Sequence, residues 1–217
     1  MKLLWSPRSP FVRKVMILLH ELDQVQSVEL IRAVATPRGV PNPEIMAHNP
    51  LGRIPVLLVP DGEPILDSAL ICEFLARHFA GGDALVPSSG PVRRTQMRWQ
   101  ALGDGLTENL LLYRIEKTGA SGGDPERLAS LGAKIRACFS ALAKSADKLE
   151  RAPFGIGQIA VICALGQADF RFPDSGWRAG YPGLATWERQ VAGRPSVKAT
   201  GVKDDLAETG PSMDLKI

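Results

Sequence analysis

The pattern of apolar and polar positions changes character once along the chain, from short mixed elements to long helical ones. It opens on Lys2-Leu3-Leu4-Trp5, an apolar run of strand length, followed at once by the polar turn Ser6-Pro7-Arg8-Ser9. Beyond the turn, Phe11, Val15, Leu18, Leu19 and Leu22 recur at helical spacing. Ser9 falls at the N-cap and Pro10 at the first helical position, where those residue types are favoured. Val25 to Ile31 alternates, which predicts a second strand, parallel to the first across a right-handed crossover. Residues 33–43 are rich in small residues, proline and glycine and predict a loop, with a short helix at Glu44-Ile45-Met46-Ala47. Val56 to Val59 predicts a buried strand, Asp61-Gly62-Glu63 a hairpin turn and Pro64-Ile65-Leu66 the antiparallel partner. Ile71, Phe74, Leu75 and Phe79 then mark the buried face of a helix opened by Asp67 and Ser68. The order is βαβ, then ββα.

After Ala80-Gly81-Gly82-Asp83 and the linker Val86-Pro87-Ser88-Ser89-Gly90-Pro91, only helical patterns follow. Arg93 to about Glu116 predicts one long helix, with a bend expected at Gly103 and Gly105. Asp124-Pro125 opens the next, whose stripe is Leu128, Leu131, Ile135, Phe139, Leu142 and Leu149. Phe154 and Ile159 have the spacing of a hydrophobic staple around an N-cap, with Gly155 and Gln158 at the capping-box positions. The helix started there is apolar all round, so it should be central. A Phe-Arg-Phe-Pro turn at 170–173 leads to Trp177 and a shorter helix around Leu184, Trp187 and Val191. Residues past Arg194 read as a surface tail.

Composition narrows the function classes. A chain of 217 residues that is 45% hydrophobic and 23% charged is that of an ordinary globular protein. A net charge of +3, with Arg93-Arg94 the densest basic pair and no aromatics around it, argues against a nucleic-acid partner. One lysine and a three-residue apolar run do not form a leader, and the longest apolar run, Ile159 to Leu165, is far short of a membrane span. Cys72, Cys138 and Cys163 are odd in number, widely spaced and in apolar helical contexts. They read as buried free thiols in a reducing cytoplasm, with neither a zinc site nor a disulfide framework.

Candidate chemistry gathers at two helix starts. The Ser9 hydroxyl points into unpaired N–H groups at the positive end of a helix, a place that stabilises carboxylate, phosphate or thiolate. The same residue also serves as an ordinary cap, and Ser6 is a competing hydroxyl nearer the strand. Arg13, one turn on, reads either as added positive potential or as a surface salt-bridge partner. Pro55 at the mouth of a strand removes a ladder donor and holds Ile54 extended; a cis bond there would turn the backbone of Ile54 outward as a free hydrogen-bonding edge. Asp67 and Ser68 place a carboxylate, a hydroxyl and fresh N–H groups at the second helix start. No His or Asp lies near Ser9 in sequence to act as its base, which disfavours a serine hydrolase.

The order βαβ–ββα with a proline at the third strand resembles the thioredoxin-like fold. Ser-Pro-Phe-Val-Arg-Lys-Val at 9–15, NPLGRIPVL at 49–57 and LDS at 66–68 resemble the N-terminal domain of cytosolic glutathione transferases. The Phe154-to-Trp177 stretch and Trp187 resemble that family's C-terminal domain, so the likeness covers nearly the whole chain. It implies a bacterial-type member with serine at the catalytic position: an α/β thioredoxin-like domain at 1–80 and an all-α helical domain at 88–217. Glutathione is then the co-substrate, with no permanently bound cofactor and no metal.

Residue by residue, the likeness makes Ser9 the group that activates the glutathione thiol. The backbone of Ile54, ahead of a cis Pro55, pairs with the cysteinyl amide as a short added strand. Asp67 and Ser68 hold the γ-glutamyl group, where the family more often has Glu-Ser; Asp is one methylene shorter. Arg53 offers a cation to a glutathione carboxylate, and Asn49 is a turn residue. A hydrophobic electrophile would sit over Ser9 against Phe11, Leu106, Leu110 and Tyr113. The long helix carrying Leu106, Leu110 and Tyr113 would also carry a homodimer seam, with Arg98 and Asp104 as unassigned candidates for it. The likeness leaves two other activities open, a non-catalytic glutathione-binding protein and a glutathione-dependent isomerase, dehalogenase or peroxidase. The family's cysteine-based thiol–disulfide chemistry is excluded, because no cysteine precedes Cys72.

Overall fold

A computed structural model describes residues 1–119, 121–204 and 214–217. Strand β1 (Lys2–Trp5) leads into helix α1 (Pro10–Glu21), and β2 (Glu29–Arg32) follows, parallel to β1. After α2 (Pro43–Met46), strands β3 (Val56–Leu58) and β4 (Ile65–Leu66) complete a mixed sheet of order β2-β1-β3-β4, with β1–β3 and β3–β4 antiparallel. Helix α3 (Ser68–His78) packs on α1. The chain then becomes helical: α4 (Gly82–Leu85), α5 (Gly90–Lys117), α6 (Pro125–Ala143), α7 (Ala146–Arg151), α8 (Ile156–Arg171), α9 (Trp177–Gly180), α10 (Pro182–Ala192) and α11 (Pro195–Ala199). This is the thioredoxin-like α/β half followed by an all-helical half. Among the described residues no helix is long and apolar enough to cross a membrane.

Helix α8 is the post around which the second half is built. Its Ile159, Val161, Ala164, Leu165 and Ala168 are fully buried, on every side of the helix, as an all-apolar sequence requires. It lies so close to α5 that glycine is needed on both partners. A Cβ on Gly103 would sit 2.6 Å from the Ala160 carbonyl carbon, and one on Gly157 would sit 2.6 Å from the Gln96 oxygen. Helix α5 runs unbroken from 90 to 117, so Gly103 serves a close helix crossing rather than the bend expected from sequence.

Four other expectations change. Residues 25–27 form a 3-10 turn, closed by Ser27 N–H to the Gln24 carbonyl (3.1 Å) and Ser27 Oγ to Gln24 Oε1 (2.6 Å); the strand begins only at Glu29. Leu149 belongs to α7, because the chain turns at Ser145, whose hydroxyl donates back to the Ala141 carbonyl. Cys138 is half-buried, whereas Cys72 and Cys163 are buried; all three are free thiols. The segment past Arg194 is no loose tail up to residue 204. Val197 is buried, Arg194 and Ser196 bind Glu21, and Lys203 N–H reaches the Pro7 carbonyl. Residues 205–213 of that expected tail lie outside the described residues.

Candidate functional site

The strand register brings three loops to one end of the sheet. Leu4 faces Val56, and Val56 faces Leu66. The chain leaves β1 toward Ser6–Ser9, enters β3 from Ile54-Pro55 and leaves β4 into Asp67-Ser68 at this same end. Helices α1 and α3 both begin here, so two sets of unpaired N–H groups are presented together.

Ser9 takes the extended backbone of an N-cap, and its Oγ accepts the Val12 N–H at 3.2 Å. A serine hydroxyl has one proton and two lone pairs. The cap uses a lone pair, so the proton is available to an anion at the helix start. Ser6 is buried at 2% exposure, and its Oγ lies 3.5 Å from the Arg8 N–H. The loop is held by Ser9 N–H to the Ser6 carbonyl at 3.2 Å.

The Ile54-Pro55 bond is cis, and the β1–β3 ladder starts only at Val56. Asn49 is buried in the turn ahead of it. Its Nδ2 donates to the Arg53 carbonyl (2.8 Å) and its Oδ1 accepts the Leu51 N–H (3.0 Å), the turn role expected of it. The Arg53 guanidinium is exposed and lies 3.9 Å from Glu108 on α5.

Asp67 caps α3 through Oδ1 to the Ala69 N–H at 2.7 Å, and Ser68 beside it is buried. Asp67 also has φ +69°, a region costly for a residue with a side chain. Strain held at a cap of this kind suits a residue kept for its carboxylate. Asp67→Gly should therefore leave the thermal midpoint unchanged or raise it slightly, since relief of about 1 kcal/mol of strain offsets a cap loss of a few tenths. Any ligand whose ammonium group pairs with this carboxylate should bind the same variant at least about tenfold more weakly by calorimetry, as loss of a charge-assisted bond predicts.

The sequence reading missed a buried ion pair just behind this site. Lys14 of α1 is 1% exposed, and its Nζ lies 2.7 Å from Asp104 Oδ2 on α5. Asp104, one of two unassigned candidates for a subunit seam, pairs inward with Lys14. Burial holds its carboxyl above the usual aspartate range, although Lys14 pulls the other way. The signal available was a lysine directly ahead of the apolar run Val15-Met16-Ile17-Leu18-Leu19. The nearby thiols are inert: burial pushes Cys72 up to about 12 and Cys163 up to about 11. Of the residues expected around an electrophile, Phe11 is half-buried, and Tyr113 is nearly covered, in edge contact with Phe172 at 5.8 Å. Leu106 and Leu110 are wholly enclosed in the core.

Residues 8–78 match the family model described as glutathione S-transferase, N-terminal domain, and residues 125–190 match the corresponding C-terminal domain. A glutathione transferase family member from Pseudomonas fluorescens Pf-5, solved with bound glutathione, is 35% identical. The alignment covers 94% of this chain and 99% of that one, with a TM-score of 0.88. The chain belongs to the glutathione S-transferase family. A second structure of a transferase family member from that organism, with bound S-(propanoic acid)-glutathione, is 34% identical, covers 94% of this chain and 100% of that one, and has a TM-score of 0.83. Among curated relatives, the "Uncharacterized GST-like protein YibF" of Escherichia coli (strain K12) is 30% identical over 204 residues, 92% of this transferase-family chain and 98% of its own.

Proposed function

We propose that this chain binds glutathione at the shared end of β1, β3 and β4, holds it as a thiolate with Ser9, and adds it to a hydrophobic electrophile. The observation that carries the reading is the Ser9 cap: an oxygen already engaged by Val12, with a proton left to donate at the start of α1. Glutathione bound in the 35%-identical Pseudomonas fluorescens structure supports it. The S-(propanoic acid)-glutathione bound in its companion supports a site that also accommodates glutathione carrying a substituent on sulfur.

In this reading Ile54 pairs through its backbone with the cysteinyl unit, ahead of Pro55. Asp67 and Ser68 take the γ-glutamyl end, and Arg53 meets a carboxylate. Phe11 and the edge of Tyr113 face the electrophile, with Leu106 and Leu110 as the packing behind them. The glutathione domain spans 1–80 and the helical domain 88–217, and the protein works in the cytoplasm, where its thiols stay reduced. It pairs as a homodimer through exposed Leu70 and Val92, which flank the Glu73–Arg93 ion pair.

A hydrogen bond to a charged group contributes roughly 1.5–3 kcal/mol and a helix N-terminus roughly 0.3–1. At 1.36 kcal/mol per unit, the thiol pKa falls by about 1.3–3 units. A thiolate loses nucleophilicity as its pKa falls, by about half a log unit per unit. Ser9→Ala removes only the hydrogen-bond part of that shift, about 1–2 units, so below the bound thiol's pKa it should lower kcat/KM for 1-chloro-2,4-dinitrobenzene by about 3–10-fold, half of that change in log terms. A variant as fast as the parent in steady-state assays would remove Ser9 from this role.

A further inference from the structure

Along one side of α1, the chain that leaves α10 runs back in the opposite direction, tied to α1 and to the loop before it. Arg194 holds Glu21 through Nε at 3.0 Å and Nη2 at 2.7 Å, and Ser196 Oγ donates to the same carboxylate. The Val197 carbonyl accepts Arg13 Nη2 at 3.4 Å. Past α11, Lys203 N–H reaches the Pro7 carbonyl at 3.4 Å, and Asp204 Oδ1 lies 3.1 Å from Arg8 Nε. The arm thus starts at the far end of α1 and reaches the loop that carries Ser9.

Inside that loop the bonds are long. Pro7 has no N–H to give, the Arg8 N–H lies 3.5 Å from Ser6 Oγ, and the Ser9 N–H reaches the Ser6 carbonyl at 3.2 Å. The Arg8 side chain, by contrast, is only 9% exposed, and a guanidinium so covered needs a carboxylate beside it. Asp204 is shared: its Oδ2 also lies 4.0 Å from Arg171 Nη1. Arg171 is placed in turn over the Phe170 ring, 4.0 Å from its centre, at the end of α8. A chain of contacts therefore runs from α8 through Arg171, Asp204 and Arg8 to the residue next to Ser9.

We propose that Asp204 is a positioning residue for Ser9. By clamping Arg8 against Arg171 it fixes the loop from which the backbone enters α1, and with it the direction of the Ser9 hydroxyl. This role rests on Ser9 being the donor to a glutathione thiolate, and it assigns part of that task to the far end of the chain. A simple field effect would have the opposite sign. Asp204 is negative, so neutralising it would by charge alone favour a nearby thiolate and lower the midpoint of its titration. A rise on neutralisation reports lost alignment instead.

The test is the thiolate absorbance of glutathione bound to the full chain, titrated against pH in the parent, Asp204→Asn, Asp204→Glu, Ser9→Ala and Ser9→Ala/Asp204→Asn. It is run in about 1 M salt, where the field of a solvated charge is screened beyond about 3 Å. Asp204→Asn should raise the midpoint by about 0.5–1 unit, half of the roughly 1–2 units that one charge-assisted bond supplies. Asp204→Glu, which keeps the carboxylate, should hold the parent's value. In the Ser9→Ala background Asp204→Asn should add nothing, because the two changes act through one hydroxyl. A midpoint that Asp204→Asn leaves in place or lowers would overturn the proposal, even if thermal stability falls. So would a rise that persists in full without the Ser9 hydroxyl. A shift in Ser9→Ala with none in Asp204→Asn removes only the role of Asp204, whereas no shift in Ser9→Ala removes the reading of Ser9 and this role with it.

Discussion

Replacing Asp104 by leucine is expected to lower the unfolding free energy by about 3–5 kcal/mol, the cost of stranding one member of a buried ion pair. Lys14 is 1% exposed and has Asp104 as its carboxylate partner at 2.7 Å, so the variant leaves an ammonium group in the core with no counter-charge. The reverse change should cost less. Asp104 is 29% exposed, and burial already holds its carboxyl above the ordinary value of 3.8. In Lys14→Met it can take a proton instead of remaining charged, so about 2 kcal/mol is expected, below the full cost of a buried pair.

The pH dependence of Lys14→Met follows with a definite sign. Without Lys14 the folded-state pKa of Asp104 rises further, while the unfolded-state value does not change. Through that window the folded state binds more protons than the unfolded one, so stability falls as pH rises. The variant's deficit is therefore greatest at neutral pH and shrinks as pH falls through the window above 3.8. The double variant Lys14→Met/Asp104→Leu should lie within about 1 kcal/mol of the parent or above it. Urea unfolding with an unchanged m-value measures all three. An Asp104→Leu deficit below about 1 kcal/mol would mean the pair is solvated, as surface pairs are.

Gln158→Ala should cost about 2–4 kcal/mol, because several buried groups lose their partner at once. Gln158 is 1% exposed; its Oε1 accepts the Gly155 N–H at 3.1 Å, and its Nε2 donates to the Pro153 carbonyl at 2.9 Å. Gly155 has no side chain to cap α8, and Gln96 of α5 takes over that work. Its Oε1 accepts the Gly157 N–H at 2.8 Å, and its Nε2 reaches the same Pro153 carbonyl at 3.1 Å. Gln96→Ala should thus cost a comparable amount. The double variant should cost more than the sum, since either glutamine alone still serves the Pro153 carbonyl and only the double leaves it unpaired. Gly155→Ser, which restores a conventional capping residue, should destabilise rather than help. Its Cβ would lie 2.7 Å from the Leu85 oxygen and 3.0 Å from Gln96. Thermal unfolding of the four variants settles the order.

These two networks mark where the sequence stops being readable. Ser9-Pro10, Asn49-Pro50, Asp67-Ser68 and Asp124-Pro125 were legible because a cap or turn is decided by residues within four positions of one another. Helix α8 was legible because an all-apolar stretch has only the interior to occupy. Lys14 meets Asp104 across 90 positions, and Gln96 meets Gly157 across 61, and no local periodicity encodes either meeting. The same limit explains Gly103, read as a bend and found at a helix crossing, and Lys203, read as tail and found against Pro7. At the end of the sheet proposed for glutathione, the three loops were legible as motifs. That they share one end of the sheet follows only from the register Leu4–Val56–Leu66.

The central claim is that Ser9 stabilises a thiolate, and it is tested most directly by the ultraviolet thiolate absorbance of bound glutathione, titrated against pH in the parent and in Ser9→Ala. An ordinary thiol ionises near 8.5. The account predicts a midpoint in the parent about 1.3–3 units lower, and a rise of about 1–2 units in the variant from loss of one charge-assisted bond. A parent midpoint near that of free glutathione, or a low midpoint that Ser9→Ala leaves in place, would contradict it.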